Sequence, residues 1–68
     1  MKMNVAEIEA IRRMKASKTG QTMVGPYKFK LQCSPRKEKE YKLLSFDASN
    51  PYGDVNTSYI SWEDFNKI

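Results

Sequence analysis

The 68-residue sequence contains no histidine and a single cysteine, Cys33. Histidine is the most common general base and metal ligand near neutral pH, so its absence removes most acid–base and zinc-dependent chemistry. One cysteine cannot form a disulfide within the chain. We therefore expect a protein that is not an enzyme, with no cofactor and no metal site.

Long apolar stretches are also missing, since no run of hydrophobic residues exceeds two. A membrane-spanning helix needs roughly 20 apolar residues, and the core of a signal peptide needs about 7–15. We therefore expect a cytoplasmic protein without membrane contact. Hydrophobic residues make up 40% of the chain, which is enough for one small core, so residues 1–68 are expected to form a single domain.

Two partial motifs fall short of a catalytic site. Glu40 and Lys42 have the E-x-K spacing of metal-dependent nucleases, but no aspartate precedes them to complete the metal site. The three glycines stand singly beside turn residues, so the chain has no glycine-rich phosphate-binding loop. These patterns favour binding over catalysis.

Helical signals mark both ends of the chain. A helix is predicted over about residues 4–18, because Asn4 is a good N-cap and Glu7 completes a capping box. A helical turn is predicted over 61–68, with Ser61 as its N-cap. The hydrophobic residues of the first helix recur every three positions and drift around it, which predicts a broad or partner-shared packing face.

Three strands are predicted between these helices, over about residues 26–33, 40–48 and 55–60. The first alternates strictly between apolar and polar residues, as a half-buried strand does. In the second, the pair Leu43-Leu44 breaks the alternation, so its inward face stays open and a bulge is expected near the pair.

These elements predict an α+β fold, with the N-terminal helix packed on a three-stranded antiparallel meander and a short C-terminal helical turn. An alternative is a small SH3-like barrel with an N-terminal helix, in which Thr22–Val24 supplies an extra strand. Cys33 is expected to be buried beside the core. The expected core consists of Val5, Ile8, Ile11, Met14, Tyr27, Phe29, Leu31, Leu43 or Leu44, Phe46, Ile60, Trp62 and Phe65.

Charge is distributed unevenly along the chain. Residues 1–42 carry eleven Lys and Arg against four Glu, whereas residues 43–68 carry one Lys against four acidic residues. Such an asymmetry favours contact of the basic half with nucleic acid or another anionic surface. The alternative is that these charged side chains simply solvate a small domain whose two halves differ by chance. The candidate charged surface, for protein or nucleic acid, comprises Arg12, Arg13, Lys15, Lys18, Lys28, Lys30, Arg36, Lys37 and Lys39.

The segment Tyr27–Lys30 interleaves aromatic and basic residues, as single-strand nucleic-acid binders do. Strand periodicity, however, puts its rings and its lysines on opposite faces. If the rings form the core, only the lysines remain to contact phosphate, and the chain would bind a phosphate backbone without reading bases.

The sequence therefore supports two hypotheses. The first is a small interaction protein that regulates or inhibits a larger protein by surface binding, with Tyr52 and Tyr59 as protein-binding anchors. In size and composition such a protein is similar in general character to small phage-encoded inhibitors, with no shared motif. The second is a sequence-nonspecific nucleic-acid-binding module that uses the basic N-terminal half. Self-association into a homodimer is left open.

Overall fold

The structure, a computed structural model, describes residues 3–50 and 52–68. It is an α+β fold in which four antiparallel strands follow one another in the order β1-β2-β3-β4 and are flanked by two helices. The elements are α1 Val5–Ser17, β1 Gln21–Val24, β2 Tyr27–Cys33, β3 Glu40–Asp47, β4 Asn56–Ser61 and α2 Trp62–Lys67.

Both predicted helix starts are confirmed. At α1, the Asn4 side chain accepts from the Glu7 N–H at 2.8 Å, and the Glu7 carboxylate accepts from the Asn4 N–H at 3.1 Å, which is the predicted capping box. At α2, the Ser61 hydroxyl accepts from the Asp64 N–H at 3.1 Å. Helix α1 ends at Lys18, whose φ of 55° is left-handed.

The core lies between α1 and one face of the sheet. Six apolar residues are fully buried there: Ala10, Ile11, Met14, Phe29, Leu43 and Ile60. Val5, which was expected in this core, is 83% exposed. It lies nine positions before Met14, and at about 100° per residue the two lie on opposite sides of the helix. One packing face cannot include both.

Three other residues expected in or beside the core are also placed elsewhere. Tyr27 and Trp62 are 45% and 44% exposed. Cys33 is exposed as well. Tyr27 and Cys33 have the predicted inward parity, but they occupy the two ends of β2, beyond the buried cluster around Phe29.

The sheet has one strand more than the predicted meander. β1 pairs with β2 through a two-residue turn at Gly25-Pro26, where Gly25 has a φ of 59° that glycine adopts without strain. The barrel alternative did put Thr22–Val24 in a strand, but β1 and β4 lie at opposite edges of an open sheet. The sequence Asn50–Gly53 has the residue preferences of a type I turn, and in the structure the Gly53 N–H donates to the Asn50 carbonyl at 3.0 Å, the bond such a turn makes. Pro51, at its second position, lies outside the described residues.

Strand β3 pairs with both neighbours in an uninterrupted register, so the bulge expected near Leu43-Leu44 is absent from it. Leu43 is buried against α1, and strand alternation turns Leu44 to the other side of the sheet. Phe46 lies on the same side of the sheet as Leu44, so the prediction that it belongs to the core is wrong.

Helix α2 folds back over the helix-bearing side of the sheet. The Phe65 ring lies 4.8 Å from that of Tyr41, and the Lys15 amine donates to the Phe65 carbonyl at 3.1 Å. Neither helix of the described residues is long and apolar enough to cross a membrane.

Candidate functional site

Both helices lie on the side of the sheet that carries Phe29 and Leu43, and no described helix covers the other side. We call that other side the open face. By strand alternation it carries lysines from two strands together with apolar and aromatic side chains: Lys28, Lys30, Lys42, Leu44, Phe46 and Tyr59. These six residues are half-buried.

The strand register places each lysine of the open face directly opposite an apolar or aromatic residue. Lys28 pairs with Phe46, and Lys30 pairs with Leu44. Lys42 pairs with Tyr59. Directly opposed side chains in antiparallel strands lie about 4.5–5.5 Å apart at Cβ, so cations and rings form one mixed surface.

Diagonal contacts reinforce this mixture. The Lys30 amine lies 5.8 Å from the centre of the Phe46 ring. At the edge of the face, the Arg36 guanidinium stacks over the Tyr59 ring at 3.7 Å. Both are within the range of cation–π attraction, which holds the charges beside the rings.

A hydrogen-bonded network in the β2–β3 loop positions Arg36. Its Nε donates to Glu40 Oε1 at 2.9 Å and its Nη2 to Oε2 at 3.3 Å. The Ser34 hydroxyl donates to the same carboxylate at 2.9 Å, and the Lys37 amine lies 3.7 Å from it. Glu40, the first residue of β3, is only 6% exposed, so its charge is both buried and satisfied by hydrogen bonds.

The Glu40 network shifts the pKa values of its members. The hydrogen bonds from Arg36 lower the pKa of Glu40, with smaller contributions from the Ser34 hydroxyl and the charges of Arg36 and Lys37, while burial opposes them. The same bond to Glu40 raises the pKa of Arg36. Glu40 is therefore ionised and bonded to Arg36 at neutral pH.

The lysines of the open face have no such partner. Among the described residues, no carboxylate lies within ion-pair distance of Lys28, Lys30 or Lys42. Because Glu40 is already bonded within the loop, the face presents uncompensated positive charge. It can attract an anionic ligand.

The predicted basic surface divides in two in the structure. Lys28 and Lys30 lie on the open face, Arg36 and Lys37 bond at its edge, and Lys39 is exposed in the loop. The cations of α1 belong to the other layer, since the helix packs on the apolar side of the sheet. There, Arg12 and Lys18 are exposed, Lys15 bonds to α2, and Arg13 bonds to Glu9 at 3.0 Å and to the Met23 carbonyl at 2.6 Å.

The two candidate tyrosines do not form one patch. Tyr59 lies on the open face beneath Arg36, whereas Tyr52 is 98% exposed in the β3–β4 loop. Tyr59 pairs with Lys42, five residues before the end of β3 at Asp47. At about 3.3 Å per residue, roughly 16 Å of strand lies between the level of Tyr59 and the start of the loop that carries Tyr52.

Lys42, Leu44 and Phe46 of this candidate site were not among the binding residues predicted from the sequence. Lys42, Leu44 and Phe46 share strand parity, and so do Tyr41, Leu43 and Ser45, so periodicity alone did not decide which set faces inward. The lysines of β2 indicate which set faces outward. The β2–β3 register places Lys28 opposite Phe46, so Phe46 shares the side of the sheet on which these lysines lie.

A cleft of about 470 Å³ lies beside the β2–β3 loop and is bordered by Cys33 and Trp62. Of its three lining cations, Arg36 and Lys37 are bonded to Glu40, which leaves the exposed Lys39 as a single cation beside Glu38. One exposed lysine does not make a ligand site. In residues 3–50 and 52–68, no three His, Cys, Asp or Glu side chains come together as metal ligands.

No protein-family model matches this chain, and no curated protein or solved structure matches it either. Its function therefore has to be argued from the open face itself.

Proposed function

We propose that this protein is a non-enzymatic binding module whose open face binds single-stranded nucleic acid without reading its sequence. The observation that carries the proposal is the register of β2, β3 and β4. Among the described residues, it sets three lysines without an ion-pair partner beside two rings, on the side of the sheet that neither helix covers. Grooves that bind single strands combine the same two features, cations for the phosphates and rings for the bases.

Each group on the face has a role in this proposal. Lys28, Lys30 and Lys42 contact phosphates, and Phe46 provides a ring on which a base stacks. Tyr59 supports the Arg36 guanidinium, whose plane offers a second stacking surface. Base stacking on aromatic side chains contributes about 1–3 kcal/mol per base and tolerates any sequence, since every base has a π-face. The half-buried lysine stems keep the amines at the level of the rings.

The rings favour a single strand over a duplex. In a duplex the base faces are stacked on one another, so Phe46 and Arg36 would gain no stacking contact from it. A single strand exposes its bases and can lay them along the sheet. The proposal therefore expects stronger binding to a single-stranded oligonucleotide than to its duplex.

Fluorescence anisotropy with a labelled, mixed-sequence oligonucleotide tests the proposal. On single strands, log affinity falls with log salt by about 0.7 per phosphate contact, so three lysine contacts give a slope near −2. Lys28→Gln, Lys30→Gln and Lys42→Gln should each make the slope about 0.7 less steep. Lys18→Gln, which removes the same charge from the other side of the molecule, is the matched control and should leave the slope unchanged.

The rings are tested separately. Phe46→Leu and Tyr59→Leu should each weaken binding about 5- to 150-fold, the equivalent of one lost stacking contact. Tyr27→Leu removes a ring that faces the α1 side of β2 and should have little effect. Equal losses in the Tyr27 and Phe46 variants, or no binding by the wild type at low salt, would contradict the proposal.

Reversing the charges of the β2–β3 loop is a poor test of either hypothesis. Arg36 and Lys37 hold the buried Glu40, so their replacement by glutamate leaves carboxylates without partners and destabilises the loop. The lysines on the strands make cleaner targets.

Surface binding to a larger protein is the second candidate function, and the exposure of Tyr52 supports it. A tyrosine that is 98% exposed in a loop is a suitable interface anchor. Tyr52→Ala should weaken capture of such a partner from nuclease-treated lysate by about 2 kcal/mol or more. Oligonucleotide binding should not change in this variant, which separates the two functions.

A further inference from the structure

The two edges of the sheet differ in how their outward backbone groups are occupied. In antiparallel strands, successive residues turn their N–H and C=O groups alternately to one side and the other. An edge strand therefore presents every second residue to solvent, and these groups can pair with another strand.

The outward groups of β1 are partly occupied by side chains of its own chain. Leu31 N–H donates to Gly20 O at 2.8 Å, so the alternation turns Gln21 and Met23 outward. The Gln21 carbonyl accepts from the Thr19 hydroxyl at 3.0 Å, and the Met23 carbonyl accepts from Arg13 at 2.6 Å. These contacts block a partner strand.

The β4 edge is different. Trp62 N–H donates to Lys39 O at 2.9 Å, so the alternation turns the backbone groups of Thr57 and Tyr59 outward. Within the described part of the chain, nothing bonds to these groups. The strand Asn56–Ser61 also carries no charge and no proline, the two features that most often keep an edge strand from pairing.

We propose that β4 is a self-association edge, on which β4 of a second copy of this chain pairs antiparallel. Thr57 and Tyr59 of each copy would exchange backbone hydrogen bonds with Tyr59 and Thr57 of the other, with Ser58 at the two-fold axis. This proposal does not rest on the proposed function.

Two features favour a second copy as the occupant. In a two-fold pair β4 meets itself, and an uncharged strand then creates no like-charge contact within the pair. Ser58, a small residue, meets itself at the axis, and each Tyr59 lies opposite a small Thr57, so no two bulky groups collide. The consequence of pairing is that two open faces join into one eight-stranded surface.

Pairing of this kind is weak. A single pair of six-residue strands buries less than the roughly 1,200–2,000 Å² of a standard stable interface. The monomer and the paired form should therefore exchange, with pairing favoured at high concentration.

Sedimentation velocity from micromolar to millimolar concentrations tests the proposal. The wild type should sediment faster as concentration rises. Thr57→Pro removes an outward N–H and breaks no bond to β3, so it should remain folded and sediment as a monomer throughout. Met23→Pro makes the same change on the β1 edge and, as the matched control, should associate like the wild type.

Two further measurements apply if the proline disturbs the strand. Thr57→Lys keeps the backbone N–H but adds a charge to the edge, and it should also prevent association. In the wild type, hydrogen exchange at the Thr57 and Tyr59 amides should slow as concentration rises. A wild type that stays monomeric at millimolar concentration, or a folded Thr57→Pro variant that still associates, would overturn the proposal.

Discussion

Replacing Leu43 and Leu44 in turn by alanine tests the two-sided sheet with a matched pair of substitutions. The two leucines are adjacent in β3, and only their side of the sheet differs. Leu43 is 2% exposed and packs in the core under α1, whereas Leu44 is half-buried on the open face. The free energy of unfolding should therefore respond very differently to the two changes.

The expected magnitudes follow from burial. A buried leucine replaced by alanine costs about 2–5 kcal/mol, because a cavity remains where the side chain was. At Leu44 the lost carbons are only partly removed from water and leave no enclosed cavity, so the cost should be about 1 kcal/mol. A 68-residue chain has roughly 3–10 kcal/mol of total stability, so Leu43→Ala removes a large part of it.

Urea unfolding followed by Trp62 fluorescence and circular dichroism measures both variants. With a slope near 1 kcal/mol per molar urea, Leu43→Ala should lower the midpoint by about 2 M or more and Leu44→Ala by about 1 M. Complete unfolding of Leu43→Ala with Leu44→Ala still folded agrees with the same reasoning. A loss at Leu44 equal to or greater than that at Leu43 would refute the assignment of the two faces.

Three other substitutions or reactions test local features. Ser61→Ala should cost about 0.5–2 kcal/mol through loss of the α2 cap, with Ser58→Ala as the control, and an unchanged midpoint would count against the cap. Because the folded pKa of Glu40 is lowered, its network stabilises the protein fully above the ordinary glutamate value of about 4.3 and loses that contribution as pH falls through the lower folded pKa. Glu40→Gln should therefore differ from the wild type more at pH 7 than at low pH in urea titrations; a difference that does not change with pH would contradict this. Cys33 is exposed, so an aromatic disulfide reagent should label the native protein without denaturant, and labelling only after unfolding would contradict its placement.

The features that sequence alone predicted correctly are those decided within a few residues. The capping box at Asn4 and Glu7 and the cap at Ser61 depend on side chains three positions apart. The alternation in residues 27–33 likewise placed Phe29 inward. Each of these depends on local hydrogen bonding or on the period of one strand, so no distant contact was needed.

Strand β1 was absent from the predicted meander and entered only the barrel alternative, as Thr22–Val24, because its stability comes from its partner. The strand has only four residues, Gln21–Val24, which are too few to show a clear alternating pattern. Gly25-Pro26 has the composition of a turn, but only the structure shows that this turn closes a hairpin between β1 and β2. The pairing of Thr22 with Phe29 is a tertiary property of β2 that residues 21–24 do not encode by themselves.

The open face was missed because it, too, depends on the pairing of strands that are distant in the sequence. Tyr27–Lys30 has its rings and lysines on opposite sides, so the lysines seemed to lack aromatic neighbours. The register of β3 supplies them, since Phe46 lies opposite Lys28. The break in alternation at Leu43-Leu44 arises because β3 carries large apolar residues on both sides, as strands covered on both faces do. In this chain α1 covers one face only, and we infer that the apolar side chains of the other are matched to a ligand.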